Sequence, residues 1–135
     1  MKKIVLLSMI LLTTSFCEDL FKLGLEAYNK GEFDKAAKQW QKACDDNVAR
    51  ACHNLGFLYE DAQGVKQDYS KSVELYKKAC NGGYNRGCFN LGAFYLKGKG
   101  AKQDYHIAKE YLYKACELGL QPGCDVYTKL YEKGL

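Results

Sequence analysis

The sequence predicts an all-α protein, a solenoid of stacked helical hairpins stapled by disulfides, and three observations predict it. Six of the seven cysteines, Cys44, Cys52, Cys80, Cys88, Cys116 and Cys124, form pairs eight residues apart that recur every 36 residues. A self-similar period of this length marks a helical repeat array. Their neighbours recur in the same register. Lys42-Ala43-Cys44 matches Lys78-Ala79-Cys80 and Lys114-Ala115-Cys116, and Cys52-His53-Asn54-Leu55-Gly56 matches Cys88-Phe89-Asn90-Leu91-Gly92. Lys66-Gln67-Asp68-Tyr69 returns as Lys102-Gln103-Asp104-Tyr105. Finally, the apolar spacing inside a unit is helical: Leu55, Leu58 and Tyr59, like Leu91, Phe94 and Tyr95, fall at i, i+3 and i+4.

Composition agrees with one globular domain. The chain has 135 residues, 47% of them hydrophobic and 27% charged, with a single proline, which argues against a disordered or collagen-like chain. No apolar run reaches the length that spans a bilayer. The net charge of +4 is spread through a mixed-sign sequence and lacks the clustered Lys and Arg of a nucleic-acid binder. No nucleic acid, membrane span or cofactor is expected.

Taken in order, the chain opens with Lys2 and Lys3, an apolar stretch from Ile4 to Leu12, then Thr13, Thr14 and Ser15. That is the layout of a secretory signal peptide, so residues 1–17 are expected to be removed, with cleavage near Cys17–Glu18. An N-terminal core helix is the alternative. The bulky Phe16 before Cys17 argues against a lipid anchor on that cysteine. Residues 18–135 then form the repeat domain, expected as units over about 20–46, 48–82 and 84–118 and a capping helix over 121–133. In the first unit the step from Gly24 to Ala36 is four residues shorter than from Gly56 to Ser72 or Gly92 to Ala108, which predicts a shorter turn. In the later units a loop carrying Gly64, or Gly98 and Gly100, precedes Asp68 or Asp104. Each Asp stands where a helix start needs a side-chain acceptor. A second helix follows through Val73, Tyr76 and Cys80, or through Ala108, Tyr111, Leu112 and Ala115. Seven helices result.

Gly24, Gly56 and Gly92 fall inside helices, where glycine costs about 1 kcal/mol relative to alanine. Their common register predicts close backbone approach between paired helices. Thr128 holds the equivalent place in the last helix, which has no partner to admit.

The pattern Asn-Leu-Gly-x-x-Tyr, then Gly, then Ala-x-x-x-Tyr-x-Lys-Ala-Cys resembles Sel1-like repeats, relatives of the tetratricopeptide repeat with a longer loop. The Cys-x7-Cys step in every repeat resembles the Helicobacter cysteine-rich protein family. The resemblance covers essentially the whole chain after the leader and implies a right-handed α-solenoid. The first repeat departs from it, with Leu20 in place of a cysteine and a turn of tetratricopeptide length.

A secreted chain with six remaining cysteines reads as a disulfide framework. Of fifteen connectivities, the pattern predicts Cys44–Cys52, Cys80–Cys88 and Cys116–Cys124. Each would tie the end of one second helix to the first turn of the next unit, closing a loop worth roughly 2.5 kcal/mol in the chain-entropy model. Metal binding is the rival, but the spacing is not Cys-x2-Cys and only His53 and His106 could assist, so no metal is expected.

The family resemblance implies a β-lactamase, with binding or slow hydrolysis of penicillin-like compounds. The residues do not supply it. Serine β-lactamases carry Ser-x-x-Lys with Ser-Asp-Asn and Lys-Thr-Gly boxes, none of which occurs here, and two histidines are too few for a metallo-enzyme. No residue is carried over as catalytic. The alternative is a non-catalytic scaffold at the cell envelope or outside the cell. By analogy with tetratricopeptide stacking, first-helix residues ahead of Leu-Gly face a concave groove. That places Arg50, His53, Asn54, Phe57 and Glu60 near Arg86, Phe89 and Asn90 as candidate binding residues. Arg50 and Arg86 suit bidentate carboxylate recognition, so the groove suits an acidic peptide, a cell-wall-derived ligand or a β-lactam. Asn54 and Asn90 have an alternative role, bonding the backbone between repeats. His106 reads as a surface residue. Tyr59, Tyr95, Tyr131, Tyr76 and Tyr111 or Tyr113 read as core and inter-repeat packing. A secreted or periplasmic monomer is expected.

Overall fold

The computed structural model describes the backbone of residues 2–135 and the side chains of residues 15–135. Seven helices follow one another, with no strand among the described residues: α1 (Lys2–Asn29), α2 (Phe33–Asp45), α3 (Ala49–Glu60), α4 (Tyr69–Asn81), α5 (Asn85–Lys97), α6 (Tyr105–Glu117) and α7 (Gln121–Glu132). Each helix packs chiefly on its neighbours in the chain, α1 on α2, α2 on α3, and so on to α6 on α7. Three hairpins and a seventh helix therefore form an α-solenoid. The leader expected over residues 1–17 falls mostly outside the described side chains. The α1 backbone is helical through Cys17 and Glu18 without a break. No described helix is long and apolar enough to cross a membrane.

The helices close around small residues in register. A Cβ on Gly24 would collide with the Trp40 indole, one on Gly56 would lie 2.9 Å from the Tyr76 ring, and one on Gly92 would lie 2.8 Å from Leu112. Trp40, Tyr76 and Leu112 are equivalent residues of the second helices, all buried. What the glycines admit is thus a large side chain from the partner helix, and at Gly92 a backbone atom, the Ala108 carbonyl at 3.1 Å, presses as well. Backbones of adjacent helices also come close beside the cysteines. A Cβ on Gly87 would sit 3.0 Å from the Cys80 amide, and one on Gly123 would sit 2.9 Å from the Leu112 carbonyl. Thr128, at the same register on α7, is exposed.

The three disulfides are Cys44–Cys52, Cys80–Cys88 and Cys116–Cys124, with Cα–Cα distances of 4.7, 4.5 and 4.6 Å. Cys17 is free. The recurring Lys-Gln-Asp-Tyr segment is a double cap. Asp68 and Asp104 accept from the amides of Lys71 and Ile107, each at 3.0 Å, satisfying donors that a helix start leaves unpaired. Gln67 and Gln103 donate back to the carbonyls of Glu60 and Leu96, at 2.9 and 2.7 Å. One loop thereby closes the end of the first helix and the start of the second. The shorter turn after α1 has no such cap; Glu32 at the start of α2 makes no capping bond.

Candidate functional site

Because the first unit is four residues short, Glu18, Arg50 and Arg86 share one register on α1, α3 and α5. The Arg50 Nη2 donates to both Glu18 carboxylate oxygens, at 2.7 and 2.9 Å, and its guanidinium carbon lies 4.4 Å from the centre of the Phe21 ring. One repeat later the pattern changes sign. Arg86 has His53 in the position of Phe21 and Arg50 in the position of Glu18, and it makes no ion pair among the described residues. It is exposed.

His53 is half-buried and held on both sides. Its Nδ1 is 3.2 Å from the Asn54 Oδ1, and the Asn90 Nδ2 is 3.1 Å from its Nε2. An amide nitrogen only donates, so this arrangement makes Nε2 the acceptor and places the ring proton on Nδ1. Tyr76 and Tyr84 pack against the ring, with centroids 5.5 and 5.0 Å away. Burial lowers the His53 pKa below its ordinary 6.5, the Asn54 bond opposes this, and the positive charge of Arg86 lowers it further. His53 is therefore a neutral ring near pH 7. Among the described residues the Asn54 and Asn90 side chains make no bond to backbone; Asn90 reaches across from α5 to the histidine of α3.

Glu60 closes the other end of α3. Its Oε2 accepts from the Tyr76 hydroxyl at 2.7 Å and its Oε1 from Lys99 at 3.1 Å. Lys99 lies over the Tyr69 ring at 4.4 Å, and burial followed by the Glu60 bond pushes the Tyr76 phenol far above its ordinary range. Of the eight sequence-designated residues, His53, Asn54 and Asn90 form one polar cluster, and Tyr76, between His53 and Glu60, links that cluster to the carboxylate. Arg50 belongs instead with Glu18 and Phe21, while Arg86 stands beside His53. Phe89 packs against the Cys80–Cys88 bridge with Tyr111 and Leu120, so it is partly committed to the interior. Phe57 is half-buried.

Glu18 and Lys99 escape the sequence reading, and Tyr76, read there as packing, is buried as expected but also bonds Glu60. The register offset of the first unit aligns Glu18 with Arg50, but the contact between them comes from the placing of α1 beside α3. His106 is exposed and pairs with Glu110 at 3.3 Å. Among possible nucleophiles, Ser72 is buried and donates to the Gly56 carbonyl at 2.8 Å. Among the described residues, no three His, Cys, Asp or Glu side chains group as metal ligands would.

This fold and face define a class. The Sel1 repeat model matches residues 49–84 and 85–120, more than half of the chain, and the protein belongs to the Sel1 repeat family. Among curated proteins it is similar to HcpE of Helicobacter pylori, whose name designates it, provisionally, a beta-lactamase. The two are 44% identical over 46 residues, 34% of this chain and 13% of HcpE. Among solved structures it resembles a protective antigen of uropathogenic Escherichia coli that displays an SLR fold, with a TM-score of 0.83 and 30% identity. That match covers 91% of this chain and 27% of the antigen. It also resembles the cysteine-rich protein B of Helicobacter pylori, with a TM-score of 0.67, 27% identity and coverage of 82% of this chain and 93% of that one. The chain thus spans a small part of the first two relatives. Its disulfides and its Hcp relatives both point to an extracytoplasmic setting.

Proposed function

We propose that the protein is a secreted or periplasmic recognition module whose first-helix face holds an extended, carboxylate-bearing ligand of the peptide or cell-wall-peptide class. One observation carries the reading: the row Glu18, Arg50, Arg86 contains two guanidiniums and one carboxylate, and Arg50 uses that carboxylate. A ligand carboxylate beside Arg86 would repeat the Arg50–Glu18 pair one step along the array. The neutral His53, fixed by Asn54 and Asn90, would offer such a ligand a flat ring beneath the guanidinium, as Phe21 does for Arg50. Helical repeat arrays bind extended partners along stacked first helices because each repeat presents the same positions at a regular step. We assign residues 1–17 to a signal peptide and residues 18–135 to a monomeric repeat domain on this reading.

A second reading is favoured by the name that HcpE carries. Penicillin-like compounds also bear one carboxylate, and the Arg86 position would receive it, with slow amide hydrolysis as the further possibility. Purified oxidised protein, assayed for nitrocefin turnover and for binding of a fluorescent penicillin and an acidic peptide, separates the two. Peptide binding without turnover supports the recognition module. Turnover lost on heating and reduction supports the enzyme. Loss of a charge-assisted bond typically weakens binding about ten- to a hundredfold, so Arg86→Ala should weaken either ligand by that factor at unchanged melting temperature. Arg50→Ala should disturb the α1–α3 contact as well. Peptide and β-lactam binding indifferent to Arg86 would reject this face as the site.

A further inference from the structure

The first two hairpins leave an open cleft where α2 meets α3, and it shares no lining residue with the Arg86 face. Its volume is about 480 Å³, within the range of small-molecule sites, which combine an apolar lining with a few placed polar groups. Ala37 and Leu55, both buried, and the half-buried Tyr59 and Val65 supply the apolar surface. The loop after α3 forms one rim. Its Gly64 (φ +69°) lies against the backbone of Phe33 and Asp34, where a Cβ would come within 2.3 Å, so the rim is seated on the start of α2.

Charge is divided along the cleft. Asp34, Lys38 and Lys42 line it at successive steps of four residues, which sets them along one stripe of α2. All three are exposed, and none has an ion partner among the described residues. Asp45, the next acid along α2, is engaged by Gln41 at 2.9 Å. Asp34 in the first turn and Lys42 in the last turn also complement the helix dipole. That does not account for Lys38 in mid-helix, or for the open apolar surface beside it. Nor does the repeat require the set. Ser70 and His106 stand in the position of Asp34, Glu74 and Glu110 in that of Lys38, and Val73 and Lys109 in that of Ala37. Two amines beside an alanine floor are particular to the first junction.

We propose that this cleft is a second binding site, for a short free peptide. The peptide's ammonium group lies at Asp34, its terminal carboxylate at Lys38 and Lys42, and an apolar side chain against Ala37, Leu55, Tyr59 and Val65. The length follows from the helix. Eight residues from Asp34 to Lys42 rise about 12 Å, and an extended chain advances about 3.3–3.6 Å per residue, so about three residues reach from the carboxylate to the amines. A neutral apolar ligand would leave the three charges unused, and an anion without an amine would meet Asp34 unfavourably.

The probe is alanyl-leucyl-alanine with both ends free, titrated into the oxidised full chain and followed by backbone amide NMR shifts. Saturable shifts confined to α2, α3 and the loop at Gly64 and Val65 are expected. Acetylating the amine or amidating the carboxylate should each weaken binding about two- to fivefold, as the loss of one solvent-exposed ion pair does. Lys38→Gln with Lys42→Gln should weaken the free peptide by at least that factor and leave the amidated peptide unaffected, a difference that a general loss of stability would not produce. Ala37→Val, which copies Val73, should weaken every form of the peptide. Arg86→Ala should change nothing, which keeps the failure of this site distinct from failure of the Arg86 face. Absence of saturable shifts, or binding indifferent to both end groups or to the lysine pair, overturns the proposal. Shifts on α3 and α5 that vanish with Arg86→Ala would overturn it in favour of the Arg86 face.

Discussion

The junction of α4 with α5 and the junction of α6 with α7 are built from the same sequence pattern and end in different states. At the inner junction Cys80 and Cys88 are both fully buried, and Gly87 brings the two backbones together. The following loop lies over Tyr69, and bonds from Asn90 to His53 and from Lys99 to Glu60 cross from one repeat to its neighbour. At the outer junction Cys116 and Cys124 are half-exposed, and Tyr113 and Tyr131, expected in the interior, are exposed. A repeat in a solenoid is therefore completed by the repeat that follows it. Local sequence makes the helices, while burial depends on which neighbour is present.

The largest expected effect tests that difference directly. Removing the inner bridge, by Cys80→Ser with Cys88→Ser, should cost about 2–5 kcal/mol in urea unfolding. Removing the outer bridge should cost clearly less, because only α7 is released. The reductant order should follow: mass spectrometry under limiting dithiothreitol should find Cys116–Cys124 opened first. Equal costs, or the inner bridge opening first, would break the comparison.

Next in size is Gly92→Ala, whose new methyl meets Leu112 at 2.8 Å. Overpacking of this kind costs about 1–3 kcal/mol, offset by about 1 kcal/mol of helix propensity. Thr128→Ala, at the same register without a partner helix, should leave the melting temperature nearly unchanged. A smaller loss, about 1 kcal/mol, is expected for Ser72→Ala, which removes the bond to the Gly56 carbonyl. Ala36 and Ala108 occupy the equivalent positions, so the fold should persist.

The smallest effect is in pH. His53 has a folded-state pKa below its ordinary 6.5, so the unfolded chain takes up its proton first. Its contribution is complete above pH 6.5 and is lost as pH falls through 6.5 toward the folded value. His53→Phe, which copies Phe21, should remove that part of the pH dependence, read as the difference in urea midpoint between pH 7.5 and pH 5. An unchanged slope would show that His53 does not report on the inner junction.

Much of this architecture was legible beforehand. The 36-residue period places the three disulfides, the two Asp caps and the glycine register, because each depends on contacts within a hairpin or between its immediate neighbours. The candidate site was only partly legible. His53, Asn54 and Asn90 come together between α3 and α5 and Glu60 lies at the end of α3, but their partners differ from expectation. Asn90 bonds an imidazole in place of backbone, and Glu60 is taken up by Tyr76 and Lys99.

Sequence alone determined which residues recur, and therefore which helices form, which cysteines meet and where a small residue must lie, since those follow from a fixed rise and period along the chain. Tertiary structure alone decided that Arg50 is spoken for by Glu18 while Arg86 is not, and that Tyr59 is half-buried while Tyr131 is exposed. Equivalent residues carry the same local signal, but a side chain's partner and its solvent depend on the helix packed one repeat away, at an offset that the local pattern does not encode.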